Sequence, residues 1–520
     1  MKFWAALALL LAPAFAEATG FTDIGQDIVP TDSPRFEAAG NFRLRTAGLD
    51  NLDLDRGPTP SGQLLFPVPL SDPNGQWLTA ADMRLRTDLA AYAPGGIVAV
   101  KARLDILGDL AAGSLPDGVP SASHTQLSPT PSIRVRRAYG EALLPFGLVV
   151  AGRTGDQWGL GMLTNGGDCG DCDSGDVADR VALITPIAGF IWALAYDFSS
   201  SGPLVPERDS VRQIDVDPTV DVRTVTFAFL RWNDPAALVR RSKAGLITVN
   251  YGAYASYRWQ PHDLPASYLA LDTPVALDAA QVVDRGFQAA AFDGWLRVMG
   301  PRFRIEAESA LLLAKVEQAS LIPGVEYNVP VTSTQLGFAE ESSFGEPEDA
   351  FSFGLDLGYA SGDPAPGFGA FPQPNQAQPV GGDLDGPQAN PPYDTRVDNF
   401  KFSSDYRIDR ILFAEIIGTV TDAIYFRPHA QYRIAQWGVN ALTAQVAAIY
   451  SRAVFANSTP GGNNNLGVEV DPTLSYGGVD GFNATLEYAA LFPLAGFDNV
   501  VLNLKAQPAQ LIRLRLNYVF

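Results

Sequence analysis

The chain is poor in the residues that carry covalent and metal chemistry. Its 520 residues include two cysteines, four methionines and three histidines, at 124, 262 and 429. So few histidines leave acid–base and metal catalysis short of groups, so no catalytic residue is assigned and no enzyme activity is expected. After the first sixteen residues no stretch approaches the ~18 to 20 uninterrupted apolar residues of a membrane helix, which excludes helical spans. Heptads and fixed repeats are missing too, which sets aside coiled coils and solenoids. Cations are also scarce: 37 Lys and Arg against 57 Asp and Glu give a formal charge of −20. Nucleic acid, whose phosphates demand a basic surface, is excluded as a partner.

What the chain has begins with "MKFWAALALLLAPAFA", one Lys before an apolar run that closes on Ala14-Phe15-Ala16. This is the pattern of a cleaved export signal, residues 1–16, with the mature protein starting at Glu17. The cysteine that lipid anchoring needs does not follow the run. Residues 17–34 then read as a short periplasmic segment and residues 35–520 as one β-barrel.

The barrel reading rests on period two. Segments of about ten residues with alternating apolar and polar side chains, separated by Gly, Pro, Asp and Asn, run the length of the chain. Eighteen strands are predicted, at 35–46, 78–92, 97–109, 132–144, 147–157, 180–186, 190–199, 222–232, 245–259, 286–298, 302–316, 332–340, 351–360, 423–434, 438–452, 466–476, 481–491 and 509–520. Their connections alternate between short, as in "PF" at 145–146, and long, as at 158–179 or 361–422. A transmembrane antiparallel up-and-down barrel of 16 to 18 strands, with long extracellular loops and mostly short periplasmic turns, predicts that rhythm. A soluble sandwich or propeller is the competing architecture. Two connections, 233–244 and 341–350, are longer than a turn should be. Residues 361–400 are too rich in Pro and Gly for regular structure, and 404–422, "SDYRIDRILFAEIIGTVTD", read as a loop or short helix at the mouth. The last strand ends "LIRLRLNYVF", with Tyr518 and Phe520 in phase with its apolar face, the kind of terminus outer-membrane proteins present to the barrel assembly machinery.

Three patterns bear on function. In "GRTGDQWGLG", 152–161, Trp158 is read either in the aromatic girdle at the lipid boundary or on a loop folded into the lumen beside Arg153. In "NGGDCGDCDSGD", 165–176, Cys169 and Cys172 are expected to form a disulfide in an exported protein. The same stretch crowds Asp168, Asp171, Asp173 and Asp176, hard oxygen ligands suited to Ca²⁺, although the spacing departs from the EF-hand pattern and a solvated acidic loop is the plain alternative. The third is a charge pattern on the strands that closure makes neighbours. Arg513 and Arg515, Arg43 and Arg45, Arg84 and Arg86, Lys101 and Arg103, and Arg134 and Arg136 all lie opposite the apolar face. An Arg or Lys at the bilayer midplane costs ~2 to 4 kcal/mol, so these ten should line the lumen. They form either a net positive pore wall or a ladder satisfied by Asp82, Asp88, Asp105 and Glu141.

The segments "GRTGDQWGLGMLTNGGDCGDC", "GYASGDPAPGFG", "FKFSSDYRIDRILFAEIIGTVTDAIYFRP" and "LGVEVDPTLSYGGVDGFNATLEYAALFP" resemble uncharacterised outer-membrane barrels of myxobacteria and related deltaproteobacteria. More distantly, the Gly-Arg…Trp-Gly segment and "LGVEVD" are similar to alginate-export barrels. That second resemblance implies eighteen strands, an Arg-rich lumen and passage of an anionic polysaccharide. The expected function is therefore an outer-membrane channel for anionic solutes or an anionic polymer, needing no cofactor and embedded among outer-membrane lipid and lipopolysaccharide. The alternative is a plugged barrel with a structural or surface-interaction role. Oligomeric state is left open.

Overall fold

The computed structural model describes residues 32–520 except 73–75, 114, 117–125, 128–132, 201–203, 208–211, 265–280, 321–324, 328, 346–348, 370–380, 385–387, 390, 392–393 and 479–480. The export signal and residues 17–31 lie outside the described residues. No helix among those described is long and apolar enough to cross a membrane; strands do the crossing.

Eighteen strands form one closed sheet. They are β1 (Arg35–Asp50), β2 (Trp77–Tyr92), β3 (Val98–Ala111), β4 (Ile133–Leu144), β5 (Gly147–Gly155), β6 (Val177–Ile187), β7 (Phe190–Phe198), β8 (Arg223–Arg231) and β9 (Thr248–Asp263). The second half comprises β10 (Val283–Met299), β11 (Phe303–Val316), β12 (Val331–Phe344), β13 (Phe351–Ala360), β14 (Ala423–Trp437), β15 (Asn440–Ala453), β16 (Asn465–Gly477), β17 (Phe482–Pro493) and β18 (Ala509–Val519). Each pairs antiparallel with the next, and β18 closes on β1 from Asn41 opposite Val519 to Asp50 opposite Gln510. Closure leaves no unpaired edge, the condition for a sheet to sit in hydrocarbon.

Alternation then sorts the side chains. Ile512, Leu514, Tyr518 and Phe520 are exposed on the outer face, as are Leu194, Phe227, Leu296 and Leu336 from around the barrel. Aromatic pairs such as Phe344 with Phe353 and Phe482 with Tyr518, ring centroids 5.3 and 5.1 Å apart, gather near the turn end, as an interfacial girdle does. The intervening residues, Arg43, Arg84, Asp105, Glu306 and Glu308 among them, are buried inside.

The two overlong connections have separate causes. Residues 235–243 form a helix, α1 (Pro235–Lys243), whose N-cap Asp234 accepts from the Ala237 N–H. Around 341–350 the strand simply continues: β12 runs through Glu341 to Phe344, leaving only 345–350 as the turn. Glu341 broke the apolar pattern because it faces the charged lumen, where it meets Arg304; Glu340 lies on the opposite face.

The largest apolar cluster lies inside the barrel. Two long loops fold inward, 156–176 and the described part of 361–422. Phe400, Phe402, Ile411, Leu412, Phe413, Ile416 and Ile417 of the second pack with Leu160 and Met162 of the first and with Leu52, Leu54 and Phe497. The stretch 404–422, expected at the mouth, is thus largely buried, with one π-helical turn at Leu412–Ile417 stopped by Gly418 at φ 86°. A cluster so large inside a barrel is a core in the ordinary sense, removing apolar side chains from water.

Candidate functional site: an acidic loop clasped to a basic wall

The register of β18, β1, β2, β3 and β4 creates an electrostatic difficulty. Arg43 stands directly opposite Arg84, Arg45 opposite Arg515 and Arg103 opposite Arg137. Like charges facing each other across a sheet are destabilising. Each pair is bridged by one carboxylate. Asp109 of β3 lies 2.5 Å from Arg43 and 3.8 Å from Arg84. Asp171 lies 3.3 Å from Arg45 and 2.8 Å from Arg515. Asp168 is 3.0 Å from Arg137 and also pairs with Arg103. Two of the three bridges come from the acidic loop.

That loop, 156–176, is held by more than these contacts. Asp173 takes Arg43 at 2.6 Å and Arg45 at 3.2 Å. Asp171 also takes Arg513 at 3.1 Å. Arg84 donates to the Cys172 carbonyl at 2.5 Å and Arg86 to the Gly167 carbonyl at 2.6 Å. Cys169 and Cys172 are joined by a disulfide, closing a small ring between these attachment points. Burial pushes Asp171 up, but the guanidinium groups of Arg513, Arg515, Arg407 and Arg45 outweigh it and hold the carboxyl well below its usual range. Asp173 is depressed by the same contest, burial against Arg407, Arg45 and Arg43. Asp168 is depressed by Arg103 and Arg137 against burial.

These partners correct two expectations. The wall is not a net positive surface open to solutes. Asp82, Asp88, Asp105, Glu141 and Glu487 pair with Arg45, Arg103, Arg86, Lys101 and Arg513 respectively, Arg136 also pairs with Asp105, and the loop supplies further carboxylates. Arg134, the tenth residue of the pattern, is exposed and joins no ion pair among the described residues. Nor do Asp168, Asp171, Asp173 and Asp176 form a group that could hold Ca²⁺, and no group of His, Cys, Asp or Glu that could hold a metal ion is found among the described residues. Guanidinium groups satisfy the first three. Asp176 instead accepts the Asn165 N–H at 2.9 Å.

Trp158 belongs to the lumen, not to the girdle. It is fully buried against Tyr254, ring centroids 5.6 Å apart, and its indole N–H donates to Asp293 at 2.9 Å. Arg153, one residue out of phase with the buried Thr154 and Val150, faces outward and pairs with Asp179 at 2.7 Å. The loop turns inward only after Gly155.

Two carboxylates that the sequence did not mark as anchors secure the inward loops. Buried Glu308 of β11 accepts the N–H groups of Leu160 at 2.5 Å, Leu163 at 3.1 Å and Met162 at 3.4 Å. Across the barrel, Glu469 of β16 accepts those of Arg410, Ile411 and Leu412 at 2.9, 2.9 and 3.0 Å. A loop buried in a lumen must pair its backbone N–H groups, and these two side chains do it. The loops also hold each other: Asp405 accepts from the Asp173 and Ser174 N–H groups at 2.9 and 3.3 Å, while Arg407 meets Asp173 at 2.6 Å. The sequence signal was Glu308 and Glu469 in lumen phase with no arginine at a matching position; Glu306, by contrast, answers Arg297 and Arg304 as its neighbours imply.

The loop does not fill the mouth evenly. Beside it, on the side away from the arginine wall, a cavity of about 590 Å³ lies between residues 156–176 and the upper parts of β8 to β12. Asp156, Asp176, Tyr254 and Arg258 are among its lining.

No family model matches the chain, and no curated protein matches it. The family resemblance seen in the sequence therefore reaches no further than the barrel architecture. Among solved structures, the chain is similar to OpdK of Pseudomonas aeruginosa, solved with vanillate, at 11% identity and a TM-score of 0.45, covering 93% of this chain and 98% of that one. It is similar to OccD1 (OprD) at 8% identity and a TM-score of 0.44, covering 93% and 95%. OmpT, an outer membrane protein of Vibrio cholerae, gives 9% identity and a TM-score of 0.36 over 95% of this chain and all of that one. At such identities the likeness is one of fold, which the hydrogen-bonded ladder of this chain already establishes.

Proposed function

We propose that this protein is an outer-membrane channel held narrow by loop 156–176, in which anionic solutes and the loop carboxylates compete for one row of guanidinium groups. The reading includes no enzymatic step and no cofactor. The observation that carries it is the convergence of Arg43, Arg45, Arg407, Arg513 and Arg515 on just Asp171 and Asp173. Surface-attached acidic loops gain little from ion pairs, but several guanidinium groups around two carboxylates in a confined lumen form a network whose strength depends on ionic strength. With the loop docked, wall and loop nearly cancel and selectivity is weak. With its carboxylates neutralised, the wall is a fixed positive field along a water-filled lumen, which attracts anions. Export by the amino-terminal signal and insertion through recognition of the Tyr518–Phe520 terminus belong to the same proposal.

Planar-bilayer recording tests it. The wild-type protein should show small, weakly selective conductance, and D171N/D173N larger conductance with anion preference. That preference should fade as the Debye length shrinks from about 10 Å at 0.1 M salt to about 3 Å at 1 M. Unchanged conductance and selectivity in the variant would refute the clasp as the restriction. The apolar cluster around Phe400, Ile411 and Phe413 favours the second reading, a plugged barrel with a structural or surface role. Absence of conductance in both proteins, each shown to be folded by heat-modifiable migration, would select it.

A further inference from the structure

From the cavity beside the loop we infer a recognition site for small zwitterions, with the solute's carboxylate on Arg258 and its ammonium group on Asp176. The inference rests on the channel reading for its role, since the cavity is the space the clasped loop leaves at the mouth. Its wall is cut back by small side chains, Ala289, Ala291, Ala314 and Ser256. Arg258 is exposed into this space and makes one hydrogen bond among the described residues, Nε to Thr224 Oγ1 at 3.1 Å. Its terminal nitrogens, the fork that suits a carboxylate, make no hydrogen bond or ion pair among the described residues. On the loop side Asp176 is exposed, with one oxygen on the Asn165 N–H and no cation within ion-pair distance among the described residues.

The remaining charges do not compete for such a ligand. Asp156 and Asp197 share Arg180, at 3.0 and 2.8 Å. Lys315, on the rim, pairs with Glu317 at 2.5 Å. The cavity thus presents one cation-binding and one anion-binding group, neither in an ion pair among the described residues, over a floor of Tyr254 packed on Trp158. A simple anion entering here gains Arg258 but meets Asp176, and a simple cation the reverse. A solute carrying both charges satisfies both groups, and complementary placement is what gives charged sites their specificity. The hydroxyl groups of Thr224, Ser256 and Ser333 offer it further hydrogen bonds.

The test uses the full-length protein in two assays. In liposome swelling, serine should enter faster than erythritol, a neutral solute of similar size. R258Q and D176N should each lower the serine rate about tenfold or more, as expected for one lost charged hydrogen bond, and leave erythritol unchanged. In calorimetry on detergent-purified protein, serine should bind the wild type, and R258Q should abolish binding. Serine no faster than erythritol, or an unaltered ratio in R258Q, overturns the inference. If no solute enters yet serine binds through Arg258, the site stands and the channel reading falls; if serine neither enters nor binds, the site falls.

Discussion

At the residue scale, single carboxylates do most of the organising. Glu308 gathers three loop N–H groups in a position where water cannot replace it, and an unsatisfied buried donor costs ~1 to 3 kcal/mol. Glu308→Ala should therefore release residues 156–176, seen as new protease cleavage there while heat-modifiable migration of the barrel persists. A loop as resistant as in the wild type would show that the arginine contacts suffice. Asp422, just before β14, behaves differently. Burial pushes its carboxyl up to about 7, against bonds from Ser458 and the Phe455 N–H. The docked segment then binds a proton more tightly than a free carboxylate, whose value is near ~3.9. Docking of 400–422 is accordingly most favourable below about pH 4 and weakens as pH rises toward 7. Asp171 and Asp173 carry the opposite sign: their depressed values add stability that is complete above about pH 4 and lost only in stronger acid. Hydrogen exchange should show segment 400–422 opening more readily at pH 7.5 than at pH 5 and the acidic loop unchanged across that range, with D422N removing the first effect.

At the element scale, closure of the barrel depends on a short strand used to its end. Phe520 exchanges both backbone hydrogen bonds with Gly40, each 3.0 Å, although β18 itself stops at Val519. A side chain at position 40 would run into the Phe520 ring and the Arg86 carbonyl, so glycine is what allows this approach. Removing Phe520, or replacing it with Asp, should slow insertion and leave a fraction whose gel migration no longer depends on heating; ordinary assembly kinetics would count against the role given to the terminus. The disulfide ring is a smaller device. Because Arg84 and Arg86 grip the backbone beside it and the aspartates grip the wall, C169S/C172S should leave the loop docked at 0.1 M salt. Combining it with D171N/D173N should expose 156–176 to proteases, and exposure by the cysteine changes alone would place the restraint in the covalent bond.

At the scale of the molecule, the charge of −20 is distributed by topology. Cations were collected on adjacent strands, and the loop that leaves β5 returns across the lumen to meet them. The result is a barrel whose inner wall and inner loops form one polar network around an apolar core. Raising salt should loosen that network more than it loosens the sheet: intrinsic fluorescence of the buried Trp158 region and proteolysis of 156–176 should change between 0.1 and 1 M salt, about a threefold change in screening length, while sheet content by circular dichroism stays constant. Coincident loss of both would mean that loop and barrel are a single cooperative unit.

Alternation of side chains was enough to read the barrel, the number and approximate bounds of its strands and the inward direction of Arg43, Arg84 and Arg103, because strand geometry is local and lipid admits only one face. The short turns were legible for the same reason. What the acidic loop does was not: Asp171 and Arg515 are 344 positions apart in the chain, and their meeting depends on the closure of β18 on β1 and on the path of a loop with no periodicity of its own. The same holds for Glu308 with Leu160 and for Glu469 with Ile411. Basic wall and acidic cluster were each visible in the sequence as separate patterns, one suggesting a positive pore and the other a metal site. Only the folded chain makes them partners, because a buried charge in a lumen takes the nearest opposite charge, and which charge is nearest is decided by tertiary structure.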